Sequence, residues 1–306
     1  MFESIAKRRW FVLLPRRKAA TCTVYFCIVG ISAPSCRPTI GGLNQRRLVT
    51  GYTIARSGLA MQVHLAPAAA AGTGAPSARA NALLAALPRA VYRRLLPELQ
   101  VSTLQSGEVL CWPNERVKFA YFPTDSIVAV MYDTDEAGSM AKAWPVGREG
   151  MLGISLFLGV ERLDNQTEVQ IAGTAFRIPA AALMAEFRQA GALQRLLLRY
   201  AFGLIMQASQ LGVCNHCHPI EQRLCRLLLL AFDRVGAREI DLTQQRIAEL
   251  LGVRRVSVTH AAMRLQRNHV IEYVRGRVRL IDRKKLAERS CVCAGIIARG
   301  FAAVTA

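Results

Sequence analysis

The chain has 306 residues, 52% of them apolar, so it can bury a substantial core and wholesale disorder is excluded. Its formal charge of +19 favours a polyanionic partner or an acidic membrane surface over a neutral substrate. Nine cysteines, odd in number and irregularly spaced, exclude a disulfide framework and make a reducing cytoplasm the expected setting.

The charge is localised. Residues 1–75 hold ten basic residues against one acid, residues 76–219 hold 13 against 12, and residues 220–290 hold 16 against 8. A nearly neutral middle followed by a basic C-terminal part is the distribution of a nucleic-acid-binding module attached to a different kind of domain.

The first stretch carries an apolar run, "AATCTVYFCIVGIS" (19–32), between basic flanks. A signal peptide is one reading, but a spanning helix needs roughly 20 apolar residues. An Ala/Gly/Pro/Ser linker follows. We take translation to begin at Met61, with residues 1–60 the result of a misplaced start; the alternative is a basic arm with non-specific affinity for anions.

Asn81 is placed to cap a helix over "ALLAALPRAVYRRLLPEL". From Val101 to about Ile178 short β-branched and aromatic runs, "SIVAVMY" and "TEVQIAG" among them, alternate with Gly, Pro, Asn and Asp. That spacing predicts a sandwich or barrel. The Gly-rich "VGREGMLGISLFLG" (146–159) lacks a Gly-Lys-Ser, so turn and packing glycines are expected there rather than a phosphate cradle.

Helical spacing returns over 181–213. Leu193, Leu197, Tyr200, Leu204 and Leu211 fall on one stripe, which we assign to dimerisation; packing on the β-module is the compatible alternative. "CNHCHP" (214–219) crowds two Cys and two His together, and no second pair follows at finger-like distance. Structural zinc favours separated pairs, so no metal site is expected.

"EQRLCRLLLLAF" (221–232) is a further helix, followed by a short strand, "REIDLT". Thr243 is a good N-cap for a helix whose apolar face is Ile247, Leu250 and Leu251, and Gly252 supplies the turn. The second helix, Arg254–Arg267, turns Val258, Ala261, Ala262 and Leu265 inward. It presents Arg255, Ser257, Thr259, His260 and Arg264 outward. Two helices joined by a Gly turn, the second basic and rich in hydroxyls, make a helix-turn-helix. Such a second helix fits the major groove, where Arg bonds guanine twice and Ser or Thr reaches bases or phosphates. "VIEYVRGRVRLIDRKKL" reads as two strands around Arg275-Gly276, with Arg275, Arg277 and Arg279 on one face against phosphates, the wing of a winged helix.

The stretch "LTQQRIAELLGVRRVSVTHAAMRLQRNHVIEYVRGRVRLIDRKKL" resembles the winged helix of the Crp/Fnr transcription regulators. The resemblance extends over about residues 81–293, and "SCVC" (290–293) is similar to the end of one subgroup. It implies an α+β chain with an N-terminal β jelly roll, a long dimerisation helix and a C-terminal winged helix-turn-helix. The expected divisions are a basic extension and linker (1–80), a cyclic-nucleotide-binding-like β-roll (81–185), the long helix (186–219), the DNA-binding domain (220–293) and a tail (294–306). Family members often present Arg, Glu and Arg to bases; here Arg255 matches the first, while Val256 and His260 replace the others. The resemblance also implies that cyclic AMP is not bound in the family's way. Gly150-Met151-Leu152 replaces a Gly-Glu-Leu turn, and "DNQTEVQ" (164–170) holds no Arg for a cyclic phosphate. Cys22, Cys27 and Cys36 lack the spacing of the family's iron–sulfur sensors.

The expected function is a cytoplasmic homodimeric transcription regulator that reads a near-palindromic site in double-stranded DNA. Its DNA-binding set is Thr243, Arg254, Arg255, Ser257, Thr259, His260, Arg264, Arg275 and Arg277. RNA polymerase is a candidate partner; no catalytic site, cofactor or membrane contact is expected. The rivals are a thiol- or metal-responsive regulator of the same fold using Cys111, Cys214 or Cys217, an enzyme built on the β-module, and a winged helix used for protein contacts.

Overall fold

The computed structural model describes residues 77–133 and 140–306. The expectations placed on residues 1–76, including Met61 and the three N-terminal cysteines, lie outside the described residues.

Helix α1 (Ala82–Ala86) starts at Asn81, whose side-chain oxygen accepts from the backbone N–H groups of Leu83 and Leu84. The same amide donates to the carbonyls of Pro123 and Gly150 at 2.9 and 2.8 Å, so the cap also ties the helix to the β-module. The single helix expected here is corrected to two, because α2 (Arg89–Leu95) begins anew after Pro88. Proline has no N–H to donate, and it forces Leu87 into an extended conformation with ψ 139°.

The β-module is antiparallel. Strands β1 (Gln100–Leu104), β3 (Phe119–Pro123) and β7 (Gly173–Pro179) form one sheet in the order β1-β7-β3. Strands β2 (Val109–Cys111), β4 (Ile127–Asp133), β5 (Met140–Val146) and β6 (Gln166–Ile171) form a second, in the order β2-β6-β4-β5. Leu104, Val128, Val146, Leu152, Val169 and Ala175 fill the space between them. In the Gly-rich segment, a side chain at Gly147 would overlap Arg234 and one at Gly150 would overlap Tyr200. These are packing glycines: they let the module's turn touch the helices behind it.

The long helical region is also two helices. Helix α3 (Ala180–Phe187) ends where Ala190 takes φ 53°, and α4 (Ala192–Cys217) restarts after an extended Gly191. The long helix therefore begins at Ala192 rather than near 186. Its 26 residues span about 39 Å at 1.5 Å per residue.

The stripe assigned to dimerisation is corrected as well. Leu193, Leu197, Tyr200 and Leu204 are buried within the chain, and Leu211 is half-buried beside them. They pack with α1, α2, α3 and a C-terminal helix. The Tyr200 hydroxyl donates to the Met151 carbonyl and accepts from the Met151 N–H, both at 3.0 Å. The opposite face of α4 exposes Leu198, Phe202, Ile205, Met206 and Val213. An apolar pattern this broad fills both sides of a helix, so the period alone did not say which side faces inward.

The C-terminal part comprises α5 (Ile220–Val235), β8 (Glu239–Asp241), α6 (Gln244–Leu251), α7 (Arg255–Arg267), β9 (Ile271–Val274), β10 (Arg277–Leu280), α8 (Arg283–Arg289) and α9 (Cys293–Thr305). The sheet order is β8-β10-β9. The segment read as a tail is helix α9. It lies along α4, with Ile297, Phe301 and Val304 in the core and Val304 and Phe301 seated over Gly203.

Candidate nucleic-acid interface

Thr243 starts α6, its hydroxyl accepting from the Arg246 N–H at 3.2 Å. Gly252 ends it at φ 62°, a left-handed conformation that costs glycine little. Helix α7 then crosses α6 and α5. Val258, Ala261, Ala262 and Leu265 are at most 1% exposed and join Ile247, Ala248 and Leu251 in one core. The two alanines leave room for the close crossing. With this face locked inward, Arg255, Val256, His260, Met263 and Arg267 are fixed outward.

The proposed contact residues divide by what they already touch. Arg254, Arg255 and His260 are exposed, and among the described residues none of them makes an ion pair. Ser257 is half-buried. Thr259 lies 2.7 Å from Gln244 Oε1 and 3.2 Å from the Arg255 carbonyl, so its single proton is held within the motif and steadies α7 on α6. Arg264 donates to Glu221 of α5 at 2.5 Å and stays exposed while so paired. Thr243 spends its hydroxyl on the cap. Val256 and Met263 are outward apolar groups; Val256 was compared with the family's glutamate, and Met263 was missed because its exposure shows only once the helix is seated.

In the wing, Arg275 and Gly276 form the turn between β9 and β10, with φ 50° and 85°. The expectation that three strand arginines share one face is thus corrected: Arg275 is at the tip. Arg277 pairs with Asp241 at 2.9 Å and with Glu239 at 3.7 Å, and Arg279 pairs with Glu239 and Glu272, both at 3.0 Å. Tyr273 donates to the Leu242 carbonyl at 2.6 Å, joining wing to helix, and burial pushes its hydroxyl up to about 12. Behind the interface, the Arg246 guanidinium donates to Ser106 Oγ and, at 2.9 Å, to the Gln170 carbonyl, so α6 is latched to the β-module.

A cavity of about 330 Å³ lies within the β-module, lined by Val130, Val146, Met151, Leu152, Val160 and Thr167 among others. Met151 turns its side chain into the core, and no carboxylate stands at this position. The described thiols named as sensors scatter. Burial raises Cys111 above its ordinary range, and Cys217 is exposed on α4. Cys214, the third of them, converges with three further groups at a place where no metal site was expected. The ligand atoms of Cys214, His218, Cys291 and Cys293 all lie within 4.8 Å of one another. The pair that meets Cys214 and His218 comes from "SCVC", over 70 residues away in the chain, beyond the finger-like distance considered in the sequence.

Residues 222–289 match the family model of the Crp-like helix-turn-helix domain. No curated protein matches the chain in sequence. Among solved structures, FixK2 from Bradyrhizobium japonicum is 14% identical with a TM-score of 0.51, over 63% of this chain and 98% of that one. A protein of Silicibacter pomeroyi DSS-3, described provisionally as a cAMP-binding regulatory protein, is 21% identical with a TM-score of 0.52, over 69% of this chain and 95% of that one. A provisionally described cyclic nucleotide binding protein from Ruegeria pomeroyi DSS-3 gives 19% and 0.52, over 69% and 94%. At these identities the likeness is one of fold. Residues 222–289 are thus a Crp-like helix-turn-helix domain, and with a β-rich module and a long helix before it the chain shares the fold of these solved structures.

Proposed function

We propose that the protein is a homodimeric, sequence-specific transcription regulator that works in the cytoplasm, with RNA polymerase as its candidate second partner. The observation that carries the reading is α7. Its inner face is locked into a core while Arg254, Arg255, Val256 and His260 stand outward at its N-terminal end, the end that reaches base edges in the major groove. Arg255 is suited to guanine and Val256 to a thymine methyl. Dimerisation is assigned to the outward face of α4. Leu198, Phe202, Ile205 and Met206, with Val213 two turns further on, are apolar side chains on one face that a monomer would leave in water. Two such subunits would set their recognition helices about 34 Å apart, one turn of DNA.

Cyclic AMP is not the proposed effector, since Met151 supplies no carboxylate for a ribose. The β-module cavity, whose lining joins apolar side chains to Glu115, Arg116 and Lys118, suits a ligand with an apolar body and a polar group, or none. The test is selection of DNA from a random pool by the purified chain, with and without cyclic AMP. A two-fold symmetric site enriched equally in both arms is the expected result. Failure to enrich any sequence from a folded dimer overturns the reading, and enrichment only with cyclic AMP overturns its effector clause.

A further inference from the structure

We propose that Cys214, His218, Cys291 and Cys293 bind one zinc ion, which fastens the two ends of the winged helix to each other. Cys214 and His218 are one turn apart at the C-terminal end of α4. Cys291 and Cys293 lie between α8 and the start of α9. Cys214 Sγ is 3.5 Å from Cys291 Sγ, and Cys293 Sγ is 3.6 Å from His218 Nδ1. Zinc–sulfur bonds of about 2.3 Å in a tetrahedron set sulfur–sulfur edges of about 3.8 Å. Two edges are thus already near the required length, and the widest separation, 4.8 Å, needs a shift of about 1 Å.

The surroundings supply a second, independent reason. Arg223 and Arg226 of α5 are buried; Arg223 donates through Nη2 to the Leu251 carbonyl, but among the described residues the Nε atoms of both lack a hydrogen-bond partner. Arg226 acts electrostatically on Cys214, and Cys214 and Cys291 act on Arg223. Among the described residues neither buried guanidinium makes an ion pair, which is a costly arrangement. Three thiolates and a neutral imidazole around a divalent ion carry one net negative charge, placed where those guanidiniums need it. Binding releases the thiol protons to solvent, and no electron is transferred. A three-sulfur, one-nitrogen tetrahedron with no open position suits structural zinc rather than a catalytic ion. Cys217, exposed one turn along, stands outside the cluster.

The ligand pairs flank residues 219–290, so the ion would join the end of the helix that leads into the winged helix to the turn that leaves it. The test is metal analysis of the full chain purified under reducing conditions, followed by cobalt(II) titration of the metal-free chain. We expect one zinc per chain. We also expect cobalt to give thiolate charge-transfer and tetrahedral ligand-field absorption. Cys291→Ser and Cys293→Ser should each lose the zinc at least tenfold in affinity, while Cys217→Ser keeps it. The cobalt spectrum of the unmutated chain guards against variants that fail to fold. Absence of both zinc and a tetrahedral cobalt spectrum overturns the proposal, as does one iron or copper per chain in place of zinc. A Cys214–Cys291 disulfide in metal-free protein kept reduced, or zinc retained at full affinity by Cys291→Ser, overturns it too.

Discussion

Arg275 sits at φ 50° at the first corner of a two-residue turn whose second corner is Gly276. Turns of this hand favour Asn-Gly, because a branched-out side chain is strained at positive φ. An arginine retained there trades stability for a cation at the wing tip. Arg275→Asn should raise stability by roughly 0.5–1 kcal/mol, read as a higher Tm, and weaken DNA binding at low salt. On α7, Arg255→Ala should cost about 1–3 kcal/mol at the selected site and little on scrambled DNA, measured by competition binding. The recognition helix was legible at this scale because its inward residues fall at helical spacing between a threonine cap and a glycine stop. The roles of Thr259 and Arg264 were not, because Gln244 and Glu221 reach them only through the packing of neighbouring helices. A polar side chain looks the same in sequence whether it faces solvent or is tied to the next helix.

Helix α4 carries two apolar faces with different duties. Leu197 is 1% exposed and Ile205 is 62% exposed. Leu197→Ala should destabilise the fold by about 2–5 kcal/mol by leaving a cavity. Ile205→Glu should leave the fold intact but shift a dimer to monomer in sedimentation and abolish high-affinity binding to the palindrome. If instead Leu197→Ala dissociates a stable dimer and Ile205→Glu does not, the seam lies on the inner face after all. Periodicity located this helix, and its break at Ala190-Gly191 was hidden because one left-handed alanine leaves no mark on an apolar pattern. Helix α9 was overlooked for a related reason. A short Ala-rich segment declares itself a helix only when Gly203 opens a groove for Phe301 and Val304.

For the whole molecule, net charge overstates the grip on DNA. The wing arginines Arg277 and Arg279 pair at the surface with Glu239, Asp241 and Glu272, so neighbouring acids offset their charge and would repel phosphate. Exposed pairs of this kind are individually weak, yet they cut the number of counterions displaced from DNA. Arg275→Ala should lower the slope of log K against log salt by roughly one unit per DNA-binding domain, and Arg277→Ala by clearly less. Equal losses would mean that the wing's ion pairs open on the duplex.

The two chain crossings at the base of the winged helix lie side by side, with Cys214 and Cys291 in contact. A module whose ends coincide can be cut out and replaced without stretching its host. Residues 219–290 are in this sense a cassette: exchange for the same segment of a relative should transplant operator choice, provided that the Arg246 latch to Ser106 and Gln170 and the buried Arg234 bonds to Glu149 and Gln207 are rebuilt on the incoming segment. The geometry gives such a lineage a way to change the genes it addresses while the β-module stays as it is.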